Sequence, residues 1–185
     1  MRKKFDKFCF MGLPVLMIGT FDKNGKPNCM NAAWGVQSDF DEITIFLSEH
    51  KTTDNLKETG AFTVSYATAD NVAISDYFGI ESGHDVDKIA VSGVKVTKSG
   101  VVNAPLFDIY PVTLECKVRN LVEEKGGYTL IGEVVSMSVD ENVITDENID
   151  TDKVKPIVYD STTDNYRVIA GVVGKAFEDG IKIKK

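Results

Sequence analysis

The sequence predicts a mainly β protein with short helices, folded as an antiparallel barrel that is closed or nearly closed. Three observations carry that expectation. Segments in which apolar and polar residues alternate, the period-two mark of a half-buried strand, recur through the first two thirds of the chain. Turn dipeptides separate such segments: Asn24-Gly25, which tolerates positive φ at both central positions of a hairpin, and Gly126-Gly127. The helical stretches are short and do not alternate with strands, so the βαβ pattern of a parallel sheet is missing.

The elements follow in order. Residues 13–21 are a mostly apolar run rich in β-formers that ends at Asp22-Lys23-Asn24-Gly25, and the chain returns through residues 27–34. Residues 42–48 alternate, with Ile43, Ile45 and Leu47 on one face and Thr44 and Phe46 on the other. A short helix capped by Thr52 or Thr53 runs to about Glu58 and is stopped by Gly60. In residues 61–67, Phe62, Val64 and Tyr66 stand opposite Thr63 and Ser65. A second short helix covers 71–78 and stops at Gly79, and 94–97 reads as a short strand. Residues 112–119 give the cleanest strand: Val112, Leu114, Cys116 and Val118 face one side, and Thr113, Glu115, Lys117 and Arg119 the other. Gly126-Gly127 turns the chain into 128–139, whose phase slips around Gly132, as at a β-bulge. Residues 140–152 are an acidic loop or helical turn; an apolar piece at 157–159, the segment 166–173 and an alternating tail at Ile181 and Ile183 complete the chain.

The 185 residues fit one domain, 1–185, at about 100–200 residues per domain. An apolar share of 43% with 26% charged residues is ordinary globular composition and excludes collagen, disorder and a small disulfide scaffold. With 21 basic against 28 acidic residues, the net charge of −7 argues against nucleic acid or an anionic membrane as partner. No apolar run approaches the roughly 20 residues of a spanning helix. Residues 1–10 lack the apolar stretch of a signal peptide, so a cytoplasmic location is expected. Cys9, Cys29 and Cys116 are odd in number and contain no C-x-x-C, and His50 and His84 are the only histidines, so neither a disulfide framework nor a metal site is indicated.

Few motifs carry chemistry. The acidic stretch beginning at Asp146 lacks the glycine and the closing glutamate of a calcium loop, and reads as a solvated loop. There is no G-x-S-x-G elbow, no P-loop and no G-x-G-x-x-G after a strand. Cys116 falls on the inward phase of its strand, and Cys29 has no basic motif to mark a thiolate; both are read as packed. The informative segment is Ser48 to Leu56, where a strand end meets a helix start. Free backbone N–H groups, the hydroxyls of Ser48, Thr52 and Thr53 and the Lys51 ammonium suit a phosphate monoester there; the alternative is an ordinary capped helix. A second segment, Asn28 to Gly35, sets small residues and two Asn amides beside the single Trp34, a pattern that suits the edge of a flat heterocycle; the alternative is a core tryptophan.

Taken together, these segments resemble the flavin reductase-like family with an FMN-binding split barrel, and within it the flavoredoxin branch. The pattern runs through Pro14, Gly19-Thr20, Gly25-Lys26-Pro27-Asn28 and Ala33-Trp34 to Lys51-Thr52-Thr53, Asn55-Leu56 and Gly60-Ala61-Phe62. It continues through Ser75-Asp76-Tyr77-Phe78-Gly79, Ser82-Gly83, Asp87-Lys88 and Ala104-Pro105, with a weaker echo at Tyr166, Gly171 and Gly174. The resemblance implies an FMN-binding split β-barrel of Greek-key type, a homodimer with FMN at or near its interface, and FMN as cofactor. It implies a flavoprotein oxidoreductase that passes electrons from NAD(P)H or a protein donor to an acceptor, with a redox protein as a further partner; the alternative is a non-enzymatic flavin- or haem-binding carrier or sensor. By the same resemblance Ser48, Lys51, Thr52 and Thr53 hold the phosphate, and Asn28, Met30, Asn31, Ala32, Ala33 and Trp34 line the ring. Lys88 reaches the flavin, and Tyr128 and Tyr159 close the site. No side chain is nominated as catalytic, because the flavin carries the redox chemistry. Two departures stand out: Ser38-Asp39-Phe40-Asp41 replaces paired prolines, and His50-Lys51 stands where many relatives carry an arginine.

Overall fold

The computed structural model describes residues 1–6 and 8–184. Strands β1 (Leu13–Pro14) and β2 (Leu16–Phe21) open the fold. The Asp22 carboxylate accepts from the backbone N–H groups of Asn24 (2.8 Å) and Lys26 (2.9 Å), and Gly25 takes φ 81°, which folds β2 back onto β3 (Pro27–Ala32). A second hairpin follows, β4 (Gly35–Asp39) with β5 (Glu42–Leu47), then α1 (Lys51–Thr59) and β6 (Ala61–Tyr66). The middle of the chain holds α2 (Val72–Ile80), α3 (Lys88–Ser92), β7 (Val96–Lys98) and β8 (Pro105–Phe107). The long hairpin is β9 (Val112–Glu124) with β10 (Gly127–Val139). After it come β11 (Ile144–Thr145), β12 (Asn148–Ile149), α4 (Thr151–Val154), β13 (Ile157–Asp160) and β14 (Asn165–Val168).

Seven strands make one antiparallel sheet in the order β3-β2-β6-β9-β10-β5-β4. Its two edge strands are consecutive in sequence and joined only by Ala33 and Trp34, so the sheet must roll to bring them together. The roll encloses a core of Leu16, Ile18, Ile45, Leu56, Phe62, Val64, Cys116 and Leu130. The hydrogen-bond ladder does not close, so of the closed or nearly closed barrel expected, the closed form is excluded. The Trp34 carbonyl accepts from Phe46 N–H at 2.8 Å, so the link extends the β4–β5 ladder instead of pairing β4 with β3.

A second apolar layer covers the outside of β2 and β3: Val15, Met17, Cys29, Phe78, Ile89, Phe107 and Tyr110 cluster there beneath α2 and α3. β6 is therefore buried on both faces, not half-buried as its alternation suggests. Its polar side chains are satisfied inside: Thr63 Oγ1 donates to the Pro105 carbonyl (2.7 Å), and Ser65 Oγ meets Thr113 Oγ1 (2.7 Å).

Several boundaries also differ from expectation. α1 begins at Lys51 with His50 as its N-cap, two or three residues before the threonines expected to cap it. α2 runs through Gly79 to Ile80; that glycine serves close packing, since a Cβ there would stand 3.1 Å from Asn31 Cβ. The bulge at Gly132 is present, with the register of β10 on β9 shifting between Ile131 and Gly132. A Cβ at Gly132 would run into the Phe62 ring, which explains the residue. β4 carries no alternation and is exposed along most of its length, so the sequence gives no sign of it. Residues 166–173 are strand only as far as Val168, and the tail at Ile181 and Ile183 lies in a 3-10 turn, not a strand. No helix among the described residues is long and apolar enough to cross a membrane.

Candidate functional site

The end of β3, the Ala33-Trp34 link and the end of β5 form one wall of a cavity of about 360 Å³. Asp76, Gly79 and Ile80 from α2 form another, and Tyr159 and Tyr166 from the β13–β14 hairpin close the side. The hairpin register sets these two tyrosines directly opposite each other, with ring centroids 6.2 Å apart. Tyr166 donates its hydroxyl hydrogen to Asp76 Oδ1 at 2.7 Å, tying the hairpin to α2. Burial, then the Asp76 carboxylate, pushes the Tyr166 phenol up to about 12, so it stays a proton donor at neutral pH. Asn31 donates its amide to the Ser75 carbonyl (3.2 Å), which fixes the side chain along the cavity floor. Trp34 is 62% exposed; it stands at the rim and is not a core residue.

Met30, Asn31, His50 and Gly79 also line a narrower polar neck that continues from this chamber. Lys51 and Thr52 of α1, Gly83, and Lys88 of α3 line its far part. The first-turn N–H groups of α1 have no intrahelical acceptor and carry the positive end of the helix dipole. Asn28 Nδ2 donates to Thr52 Oγ1 at 2.9 Å, which leaves the Thr52 hydroxyl hydrogen free for another acceptor. Lys88 Nζ donates to the Phe78 carbonyl at 2.9 Å and is 4% exposed, with no carboxylate in ion-pair distance among the described residues. Burial holds its pKa below the usual lysine value. A buried ammonium without a carboxylate in ion-pair distance is costly; Glu81, which also lines the neck, eases that cost from further off, and a bound anion would offset more of it. Gly83 lets the backbone approach: a Cβ there would run into Asn28 Oδ1 and lie 3.1 Å from Lys51 Cβ.

Of the residues named from the sequence, Met30, Asn31, Ala32, Ala33, Trp34, Ser48 and Tyr159 line the chamber, and Asn28, Lys51, Thr52 and Lys88 line the neck. Ser48, expected at the phosphate, thus lies at the end of β5 beside the chamber, and Asn28, expected at the ring, faces Thr52 in the neck. Lys88 lies with the neck donors and does not line the chamber. Thr53 lines neither: its hydroxyl donates to the His50 carbonyl (2.6 Å) and accepts from the His50 N–H (2.9 Å), so it caps the helix. Tyr128 lines an adjoining cavity of about 220 Å³ beyond Trp34, and its hydroxyl accepts from Lys57 Nζ at 2.8 Å. Cys29 is fully buried beside this site, and burial pushes its thiol far above the normal range, so it is inert. No chemical motif in the sequence marks His50, Asp76, Gly83 or Tyr166. Asp76, Gly83 and Tyr166 fall within the family pattern, but nothing local to them announces a pocket.

A rolled antiparallel sheet that carries a polar neck and an aromatic-edged chamber on its outer face defines a split-barrel protein. The family model described as a flavin reductase like domain matches residues 9–166, and the chain belongs to the flavin reductase-like family. Among solved structures it is similar to the flavoredoxin of Desulfovibrio vulgaris (Miyazaki F), with 30% identity, 97% of this chain and 100% of that one covered, and a TM-score of 0.91. A flavoredoxin from Methanosarcina acetivorans shares the fold at 24% identity, with 99% of each chain covered and a TM-score of 0.90. An uncharacterised protein of Halalkalibacterium halodurans is 30% identical over 112 residues, which span 57% of this chain and 54% of that protein.

Proposed function

We propose that this protein binds FMN through the neck and chamber and works as a flavin-dependent oxidoreductase, taking electrons from NAD(P)H or a protein donor and passing them to an acceptor. The observation that carries this reading is Lys88: a buried ammonium with no carboxylate in ion-pair distance, in a neck that opens into an aromatic-edged chamber. The donor set fits a phosphate monoester. Lys88 and Lys51 supply charge, the first turn of α1 supplies N–H groups, and Thr52 supplies a hydroxyl hydrogen that Asn28 leaves free. The chamber fits a planar ring. Ala32 and Ala33 let it approach the backbone, Asn31 offers an amide at its edge, and Trp34 and Ile80 exclude water at its rim. When bound, FMN supplies reversible one- and two-electron transfer at its ring system. The chain's own work is to hold the phosphate, orient the ring and shield one side of it.

A second copy of the chain fits as partner. Trp34, Phe46 and Ile80 are exposed around the chamber mouth, and Phe40 is exposed at the β4–β5 turn. Exposed apolar side chains gathered around a site mark an interface. A carrier fed by another redox protein is the second reading, favoured by the 30% identity to a flavoredoxin across nearly the whole chain.

The test is an absorbance spectrum of the protein with FMN, followed by anaerobic NADH, NADPH and then dithionite. A bound flavin bleached by either nicotinamide supports the reductase. A bound flavin bleached only by dithionite supports the carrier. Protein that takes up no FMN and gains no thermal stability from it sinks both, because a ligand of the folded state must stabilise it.

A further inference from the structure

We propose that His50 makes phosphate recognition in the neck proton-linked: the site takes up a phosphate monoester dianion together with a proton on the His50 imidazole. The proposal rests on the reading of the neck as the FMN phosphate site.

His50 stands where neck and chamber meet and lines both. Its backbone is clamped from both sides by the Thr53 hydroxyl, which fixes the residue at the N-cap of α1. Its ionisable surroundings come from every element packed around the joint. Lys51 and Asp54 belong to α1, Asp76 to α2, and Glu81 and His84 to the loop that follows α2. Lys88 belongs to α3, and Tyr159 and Tyr166 to the β13–β14 hairpin. His84 Nε2 lies 3.5 Å from Asp54 Oδ2 on the outer side. Partial burial, then the positive field of Lys88 and of His84, holds the His50 imidazole below its ordinary value.

The field at this joint reverses when a dianion enters. Without a ligand, Lys88 opposes a proton on His50. With a phosphate between Lys88, Lys51 and the first turn of α1, two negative charges favour that proton. A pKa that is higher in the bound than in the free state makes binding tighter as pH falls through the bound-state value, with the gain complete below the free-state value. The free imidazole starts below about 6.5, and the dependence runs upward from there to the bound-state value, above the carboxylates; the His50→Gln variant separates it from the second ionisation of the phosphate, at about 6. Arginine at this position would carry a permanent charge and give no such dependence.

The test is flavin-fluorescence titration of the full chain with FMN from pH 6.5 to 8.5, with riboflavin, which lacks the phosphate, in parallel. The expected result is an FMN affinity about three- to tenfold tighter at the lower pH and a flat profile for riboflavin. The FMN profile flattens in His50→Gln and persists in His84→Gln. Calorimetry at pH 7 in buffers of different ionisation enthalpy should read net proton uptake on FMN binding, lost in His50→Gln. A slope that survives in His50→Gln and disappears in Lys88→Gln assigns the proton to the lysine and overturns the proposal. An equal slope for riboflavin, or a flat FMN profile in the unmodified protein, overturns it too, while the FMN site stands. Absence of FMN binding at every pH removes the underlying reading and the proposal with it.

Discussion

Lys88 sits at the first position of α3, where Asp87 caps the helix by accepting from the Ala90 N–H at 3.0 Å. The cap therefore aims an ammonium into the protein, and only the Phe78 carbonyl accepts from it among the described residues. Such a group is worth more to a ligand than to the fold. Lys88→Met should leave the melting temperature unchanged or raised, because the desolvated charge is gone and the packing volume is kept. It should also weaken FMN by about 10- to 100-fold, the worth of a charge-assisted hydrogen bond, with riboflavin unaffected. Thermal denaturation and flavin titration check the two halves; equal loss for both flavins would move Lys88 from the phosphate to the ring. At this scale the sequence showed residue types well. Lys51 and Thr52 are polar groups at a helix start, and they line the neck; Asn28, expected beside the ring, lines it too. It misplaced Thr53, because a hydroxyl one turn into a helix is captured by the cap residue, and that capture depends on backbone geometry.

Elements are positioned by contacts that their own periodicity does not contain. Gly132 is one case. The bulge it marks was legible as a phase slip, but its cause is the Phe62 ring from β6, 70 residues earlier in the chain. Gly132→Ala must displace that ring inside the rolled sheet and should cost about 1–3 kcal/mol in a urea melt. An unchanged midpoint would mean the ring has room to move. The β13–β14 hairpin, which carries Tyr159 and Tyr166 into the chamber, is pinned by Asp160. The Thr162 hydroxyl, then the Arg167 guanidinium at 2.6 Å, holds its carboxyl well below the usual carboxylate range. A depressed folded-state value contributes stability above the unfolded pKa of about 4, and that contribution is lost as pH falls through the folded value. Asp160→Asn should therefore lower the melting temperature at pH 7, with the gap to the unmodified protein closing towards pH 2. A constant gap across that range would show that the charge is not the source.

At the scale of the molecule, the body is rolled and well packed while both ends of the chain carry exposed apolar side chains. Phe5, Phe8, Phe10 and Met11 lie at one end, and Val172, Val173, Phe177 and Ile183 at the other. Phe177 is 97% exposed. Ends of this composition gain by burial, and a second copy is the proposed cover. Removing residues 170–185 should shift the sedimenting species from dimer to monomer. A monomer before truncation, or a dimer after it, would sink that assignment.

What the sequence determined by itself was local. Alternation, Asn24-Gly25 and Gly126-Gly127 set the strands and hairpins, and the residue types around Lys51 and Trp34 marked two halves of a site. These signals survive because they depend on neighbours one to four positions away. Only the tertiary structure decided that the sheet stays open: β3 and β4 remain its unpaired edges, and the Trp34 carbonyl accepts from Phe46 N–H on the β5 side. Only the tertiary structure joined the neck to the chamber, brought His50, Asp76 and Tyr166 to one cavity, and sent Tyr128 to another. Those placements follow from how a rolled sheet meets α2, α3 and the β13–β14 hairpin, a long-range geometry that no short window of sequence encodes.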